Sequence, residues 1–443
     1  MSSIVNLSLA AARPGLVAGR ENVVDVLVRV QAPDAPRTGL PERPPLNLAL
    51  VIDRSGSMSG EPLHEAKRCA ALMIESLKAS DRASVVAYDD TVQVFAESQL
   101  VKSKEKFKAA IAHIHEGGST NLHGGWLKGA EEAAKHLDPT VISRVLLLSD
   151  GNANAGLTNF DEIASQCAQL ADTGVTTSTY GLGQSFNEDL MMAMARAGRG
   201  NGYYSDTAES LLERFREEFS LLASLCARDV RLRVAPLPGI GCELLNLYEL
   251  AKDGAWRLPD LSYDGEAWAA IRLHVNPSAL PAIGEMVAIL HASVSFRDLA
   301  GSESEVPESW LSLPVLTEEA FRLLPEEEST ARRFHEAEAA RLQEFASRAA
   351  RQGDWNRVDD LLAQARSLAA NSPWLKEVVT NLERLAAQRD DLVFSKEARY
   401  AAASLSARLR HKMESAALSD EGTIPRHLQR KIRQGAKGKD GTE

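Results

Sequence analysis

The sequence predicts an α/β fold in which a doubly wound, mostly parallel sheet is inserted in or flanked by an antiparallel β-sandwich and followed by a C-terminal α-helical region. Three observations predict it. Between residues 46 and 222, short apolar runs alternate with longer amphipathic ones, whereas apolar residues on either side alternate with the period of half-buried strands. From residue 318 onward the period is helical. A chain of 443 residues, 44% of them hydrophobic, can fill several cores.

The α/β region begins with the aliphatic run 46–52, which is typical of a parallel strand covered on both faces. Further strands are predicted at 83–88, 91–95, 144–148 and 175–180, and helices at 62–77, 104–113, 122–136, 160–171 and 188–197. Ser103 and Asn159 precede two of these helices as expected N-caps. The short pair of strands around Asp89 and Asp90 indicates an edge hairpin, with the two acids as turn residues.

The flanking strands predict the insertion. Residues 23–30 alternate before the α/β region, and comparable strands follow it at 230–234, 267–275, 286–296 and 310–313. Because one strand of the sandwich precedes the α/β region, we expect both ends of that region to enter the sandwich. The predicted divisions are 1–45 for the N-terminal β segment, 46–222 for the α/β domain and 223–316 for the sandwich.

The C-terminal part divides at residue 415. Residues 317–415 are predicted to be helical, with breaks at Gly353-Asp354 and at 371–373. The segment 349–355 resembles a tetratricopeptide turn, but only about one repeat unit is found, so a plain helical bundle remains an equal alternative. Residues 416–443 form a basic tail that is predicted to be disordered, with contact to an acidic surface as the alternative. Its basic residues are Arg426, Arg430, Lys431, Arg433, Lys437 and Lys439.

Composition excludes several classes of protein. The net charge of −11 argues against nucleic acid as the main partner. The four cysteines are scattered, without a C-x-x-C pair, which argues against a disulfide framework or a zinc ribbon. No apolar run reaches the roughly 18 residues that a membrane span needs, and the first residues lack the pattern of a secretory signal. We therefore expect a cytoplasmic protein without a membrane span.

Oxygen-bearing side chains follow the predicted strands at one edge of the sheet. Asp53, Ser55 and Ser57 alternate in a tight loop directly after the first strand, and Gly56 permits the turn. A D-x-S-x-S string alone would occur by chance in roughly one chain in ten of this length. Thr120 before a helix and Asp150 after a strand lie where they can join the same edge. This set predicts a site for Mg²⁺, Mn²⁺ or Ca²⁺, with helix caps and turn residues as the alternative interpretation.

Residues 46–222 resemble the von Willebrand factor A (VWA) family, whose metal-ion-dependent adhesion site is matched by Asp53, Ser55, Ser57, Thr120 and Asp150. The resemblance extends to 180–183 and 202–204, covers about 40% of the chain, and implies a Rossmann-like fold. It also implies that both serines bind the ion directly, that Thr120 and Asp150 exchange between direct and water-mediated contact, and that Asp53 acts through water or a hydrogen bond. A partner's acidic side chain would then fill the open coordination position.

The resulting hypothesis is a non-enzymatic, metal-dependent protein interaction module of a bacterial type. One alternative is an accessory subunit of an ATPase or chelatase machine, which requires a separate ATPase because the sequence has no G-x-x-x-x-G-K-[ST] loop. A metal-dependent hydrolase is disfavoured, since the sequence has no G-x-S-x-G motif and the metal motif leaves no spare general base. Copurification with an ATPase, or metal-dependent turnover, would distinguish these functions.

Overall fold

A computed structural model describes residues 5–34, 43–150, 153–182, 187–205, 208–369 and 372–408. The chain divides into two compact units. The α/β unit comprises residues 36–225 with 299–302, and the other unit comprises residues 1–35, 226–298 and the chain from 303 onward. The predicted basic tail, 416–443, lies outside the described residues, as do residues 1–4 and 35–42 of the predicted N-terminal β segment.

Three strands precede the α/β unit: β1 (Asn6–Ala11), β2 (Leu16–Val17) and β3 (Asn22–Gln31). The α/β unit then has the order β4 (Leu46–Asp53), α1 (Glu61–Ser76), β5 (Arg82–Tyr88), β6 (Val92–Leu100), α2 (Lys104–Ala112), α3 (Leu122–Ala134), β7 (Ile142–Ser149), α4 (Phe160–Thr173), β8 (Val175–Leu182), α5 (Glu188–Ala197), β9 (Arg199–Ser205) and α6 (Ala208–Ala223). Its six-stranded sheet has the order β6-β5-β4-β7-β8-β9. Only the β5–β6 pair within this sheet is antiparallel.

The central strand β4 explains why this sheet is covered on both faces. All eight of its residues are buried. Successive side chains of a strand point to opposite faces, so Leu48 and Leu50 enter one core while Ala49 and Val51 enter the other. Burial of an aliphatic side chain of this size is worth about 1.5–3 kcal/mol, so two cores on one strand hold it at the centre of the sheet.

The second unit resumes with β10 (Leu225–Pro236), β11 (Ile240–Leu244), β12 (Glu249–Leu250), β13 (Trp256–Arg257), β14 (Leu261–Ser262), β15 (Glu266–Val275), β16 (Met286–Arg297) and β17 (Glu303–Leu316). One sheet has the order β1-β3-β15-β11 and the other the order β12-β13-β10-β16-β17-β2. Strands β3 and β15 pair antiparallel over ten residues, from Asn22 opposite Val275 to Gln31 opposite Glu266. The α/β unit is therefore an insertion between β3 and β10, as the sequence predicts.

Helices complete the second unit: α7 (Glu318–Arg322), α8 (Glu328–Arg351), α9 (Trp355–Leu368), α10 (Pro373–Ala386) and α11 (Asp391–Arg408). The break between α8 and α9 occurs where predicted, because Gly353 adopts a φ of +72° and the Asp354 side chain accepts a hydrogen bond from the Arg357 amide. Trp268 on the outer face of β15 packs with Phe334 of α8, so this helix covers the sheet.

Several local predictions were wrong or incomplete. Ser103 occupies the N-cap position of α2 but makes no side-chain capping hydrogen bond, whereas Asn159 accepts hydrogen bonds from the amides of Asp161 and Glu162. Strand β1 was not predicted, because its short run of small and apolar residues gains strand character only through pairing with β3. None of the described helices is long and apolar enough to cross a membrane.

Candidate metal centre

The parallel pairing of β4 and β7 brings two of the predicted metal ligands to one edge. Ile52 lies opposite Leu148, so Asp53 and Asp150 both emerge at the C-terminal ends of adjacent strands. Asp53 is fully buried, and Ser55, Thr120 and Asp150 are also buried, whereas Ser57 is exposed. The candidate site is therefore recessed, with one hydroxyl reaching solvent.

Asp53 is held by hydrogen bonds from three protein groups. Its Oδ1 accepts from the Ser55 amide at 2.9 Å, and its Oδ2 accepts from the Ser149 hydroxyl at 2.6 Å and the Tyr88 hydroxyl at 3.3 Å. These donors occupy much of the carboxylate's accepting capacity. Asp53 therefore orients the loop that follows it, in line with the indirect role that the family resemblance implies.

The serine loop turns sharply after Ser55. A short 3₁₀ turn at Gly56–Met58 brings the hydroxyl oxygens of Ser55 and Ser57 to 3.3 Å from each other. The Gly56 amide donates to the Gly118 carbonyl at 2.9 Å, which ties this loop to the loop that contains Thr120. Two hydroxyl oxygens at this separation can serve as neighbouring ligands of one small cation.

The other two loops are tied together by backbone and amide hydrogen bonds. The Thr120 amide donates to Asn154 Oδ1 at 2.7 Å, and the Asn154 amide donates back to the Thr120 carbonyl at 3.1 Å. The Asn187 amide donates to the Asp150 carbonyl at 2.9 Å. The three segments that carry the five predicted ligands are thus joined through supporting residues that the sequence prediction did not include.

Asp89 and Arg54 form a second support beside the serine loop. Asp89 accepts from the amide and hydroxyl of Thr91, as expected for a turn residue, but it is also buried and lies 3.2 Å from the Arg54 guanidinium. A Cβ added to Gly117 would lie 1.8 Å from Asp89 Oδ2, so a larger residue here would have to displace the Asp89 side chain. The Asp-x-Thr spacing in a hairpin was the available sequence signal for this turn.

The electrostatics of Asp53 favour a cation. Burial raises the pKa of the Asp53 carboxyl to about 6, only partly opposed by hydrogen bonds from Ser149 and Ser55, and the charge of Asp150 raises it further. No Lys or Arg is among the groups that contribute most to this shift. A bound divalent ion would compensate the two carboxylates, because it would be the largest charge in the site.

The donor set identifies the class of ion that fits. The five residues offer carboxylate and hydroxyl oxygens, which are the hard ligands that Mg²⁺, Mn²⁺ and Ca²⁺ prefer. Within the part of the chain that the structure describes, no group of three or more His, Cys, Asp or Glu side chains could form a separate metal site. The residues present therefore fit an oxygen-ligated cation at this edge.

The sequence comparisons place this unit in a family. The family model for the von Willebrand factor type A domain matches residues 47–218. An uncharacterised protein of Synechocystis sp., sll0103, is 28% identical over 335 residues, which cover 72% of this chain and 77% of that protein. Its name states no activity, so this match shows only that a bacterial protein is similar to this chain over most of its length.

Two solved structures share the fold beyond the α/β unit. A von Willebrand factor type A protein from Catenulispora acidiphila superposes with a TM-score of 0.69 at 18% identity, over 90% of this chain and 96% of that one. The ArnB paralog VWA2 from Sulfolobus acidocaldarius gives 0.62 at 18% identity, over 91% of this chain and 99% of that one. At this identity the likeness concerns the fold alone. Residues 47–218 of this chain are a von Willebrand factor type A domain.

Proposed function

We propose that this protein binds partner proteins through a divalent cation, Mg²⁺ or alternatively Mn²⁺ or Ca²⁺, which bridges the site at Asp53, Ser55, Ser57, Thr120 and Asp150 to an acidic side chain of the partner. The carrying observation is a buried, hydrogen-bonded Asp53 beside two serine hydroxyls that lie 3.3 Å apart. Such a site attracts a cation and leaves it accessible on the side of Ser57.

The residues have distinct roles in this proposal. Ser55 and Ser57 hold the ion directly, Thr120 and Asp150 complete its ligand set, and Asp53 fixes the serine loop through its hydrogen bonds. When bound, the ion supplies a Lewis-acidic position for a carboxylate oxygen. Because all five side chains are assigned to metal binding, we propose a binding function for this site and no enzymatic one.

Metal binding is tested by thermal unfolding of the full chain at increasing Mg²⁺ concentrations. We expect the unfolding temperature to rise with Mg²⁺ for the wild type, since an ion that binds only the folded state stabilises it by mass action. The Ser55→Ala/Ser57→Ala variant should lose this response. The control, Ser76→Ala/Ser165→Ala, removes two exposed helical hydroxyls of the same domain and should keep it.

Partner binding is tested by affinity capture from native lysate in Mg²⁺ or in EDTA. We expect a set of captured proteins that is present in Mg²⁺, absent in EDTA, and absent with Ser55→Ala/Ser57→Ala but retained by the control variant. Identical captured sets under all conditions would refute the metal bridge. An ATP-hydrolysing protein in the metal-dependent set would instead assign the chain to an ATPase assembly.

A further inference from the structure

The edge that carries the candidate metal centre, called here the metal edge, is acidic. Its described residues are those at strand ends and helix starts: 53–62, 88–91, 113–123, 150, 153–162 and 187–189. They contain ten carboxylates, and Arg54 is the single Lys or Arg among them. A divalent ion would offset two of these charges and Arg54 one, so carboxylates still outnumber cationic groups among these residues.

Arg54 does not counter this charge toward a partner. Its guanidinium is paired with Asp89, with Nε 3.2 Å from Oδ2, and donates to the Thr91 hydroxyl at 3.2 Å. The side chain is only 14% exposed. A partner that approaches the ion therefore meets carboxylates on the surface and no available cationic side chain among the described residues of this edge.

Two of the exposed acids lie beside the loops that carry the ligands. A Cβ on Gly118 would be 2.8 Å from Asp90 Oδ1, which places this carboxylate against the loop bonded to Gly56. Glu116 accepts a hydrogen bond from Ser59, two residues beyond Ser57. Further exposed acids begin two helices: Glu61 in α1, and Asp161 and Glu162 in α4. We call these five residues the acidic border.

Helix dipoles account for part of the acidic border. Carboxylates in the first turn stabilise a helix N-terminus by about 0.3–1 kcal/mol, which applies to Glu61, Asp161 and Glu162. Asp90 and Glu116 lie outside helices, so this effect does not explain their presence. The exposed charges of Asp90 and Glu116, near the serine loop, act on whatever approaches the ion.

We propose that the acidic side chain bridged by the ion belongs to a basic segment of the partner, in which one Glu or Asp is flanked by Lys or Arg. This inference rests on the proposed metal bridge. An acidic flank would be repelled by the acidic border, and a neutral flank would gain no attraction from it. A basic flank, by contrast, forms complementary charge pairs around the central carboxylate. Asp90 and Glu116 of the border lie beside the ligand loops, and exposed charges act over a Debye length of about 8 Å at physiological ionic strength.

A peptide display selection tests both levels of the proposal. The library presents a fixed central Glu within random flanking residues, is captured on the immobilised full chain in Mg²⁺, and is eluted with EDTA. We expect enrichment of Lys and Arg at the flanking positions. EDTA-eluted peptides with neutral or acidic flanks would overturn the basic-segment inference but keep the metal bridge. A selection without EDTA-eluted peptides would count against the metal bridge itself.

Variants of the acidic border then test the cause. For a selected peptide with basic flanks, Glu61→Gln/Asp90→Asn/Asp161→Asn should weaken binding by about tenfold at low salt, and by less at high salt, because exposed pairs are screened. The control, Glu97→Gln/Glu105→Gln/Glu131→Gln, removes the same number of exposed charges from β6, α2 and α3 and should bind like the wild type. Equal affinity of the border variant and the wild type would overturn the inference.

Discussion

Glu218 and Asp53 are both fully buried carboxylates of the same domain, but their surroundings differ. Glu218 receives four donors from three strands: Arg144 of β7 at 2.6 Å, Ser178 of β8 at 2.8 Å, and Asn201 and Tyr203 of β9 at 2.7 and 2.8 Å. Burial opposes its ionisation, but the charge of Arg144 and these hydrogen bonds outweigh burial and hold the pKa of Glu218 below its usual range.

Asp53 has hydrogen bonds but no cationic partner among the described residues, so burial dominates and its pKa rises to about 6. Glu218 thus has its countercharge within the chain, and its cluster fixes α6 against the sheet. Asp53 lacks one, which is expected of a site that takes its countercharge from solution. The comparison separates a structural buried charge from one that we assign to metal binding.

The largest effect should come from leaving Glu218 without Arg144. Arg144→Met should lower the free energy of unfolding by about 3–5 kcal/mol, because the remaining carboxylate is buried without a countercharge. Urea unfolding at neutral pH measures the loss. The double variant Arg144→Met/Glu218→Leu should recover part of the stability, and a single-variant loss below about 1 kcal/mol would contradict the assigned role.

Acid should weaken the same interaction. Since the pKa of Glu218 is depressed in the folded state, its stabilisation is complete above the ordinary glutamate pKa of 4.5 that applies to the unfolded chain. It is lost as the pH falls through the lower folded pKa. Unfolding free energies measured from pH 7 down to pH 3 should therefore fall more steeply for the wild type than for Glu218→Gln. Parallel curves would show that Glu218 is not the titrating group.

Asp53→Asn, unlike Arg144→Met, should change the stability of the metal-bound protein more than that of the metal-free protein. In EDTA we expect little or no loss of stability, because the change removes a buried charge that lacks a cationic partner. At a Mg²⁺ concentration 100-fold above the wild-type Kd, the variant should lack the roughly 2.7 kcal/mol that binding contributes to the wild type. Thermal unfolding with and without Mg²⁺ measures both. If the variant responded to Mg²⁺ as the wild type does, Asp53 would not contribute to metal binding.

Tyr203→Phe tests a single donor of the Glu218 cluster. Hydrogen bonds to charged groups contribute about 1.5–3 kcal/mol, and the remaining three donors should keep the loss near the lower value. The Mg²⁺ response should stay unchanged, because the hydroxyl donates to Glu218, which is not a residue of the metal edge. A selective loss of the Mg²⁺ response would show that the two clusters are coupled.

Asn154→Ala should lower the free energy of unfolding by about 1 kcal/mol, because it removes the side-chain acceptor of the Thr120 amide. Its effect on Mg²⁺ affinity should be larger, since residues that orient metal ligands typically contribute 10–100-fold. Mg²⁺ titration followed by thermal unfolding measures the shift in midpoint. An unchanged midpoint would show that the Thr120 loop is positioned without Asn154.

Local patterns in the sequence were sufficient to predict the class of fold. The continuous aliphatic run of β4 is typical of a strand covered on both faces, and the alternation in β3 is typical of a strand covered on one face. Both patterns can be recognised from neighbouring residues alone. Strands that depend on their partners, such as β1, carry too weak a local pattern and were not predicted. The D-x-S-x-S string, with Thr120 and Asp150 at predicted element ends, was sufficient to propose the metal ligands.

The sequence by itself therefore determined the class of fold, a sandwich with an inserted α/β domain, and it was sufficient to propose five candidate ligands. The tertiary structure decided which polar side chains support those ligands, including Ser149 and Asn154, and which buried charge is balanced within the chain. Arg144 and Glu218 are 74 residues apart, and their contact arises only when α6 packs on the sheet. Such pairings depend on which elements meet in space, whereas the periods and turns that predict the elements depend on neighbouring residues alone.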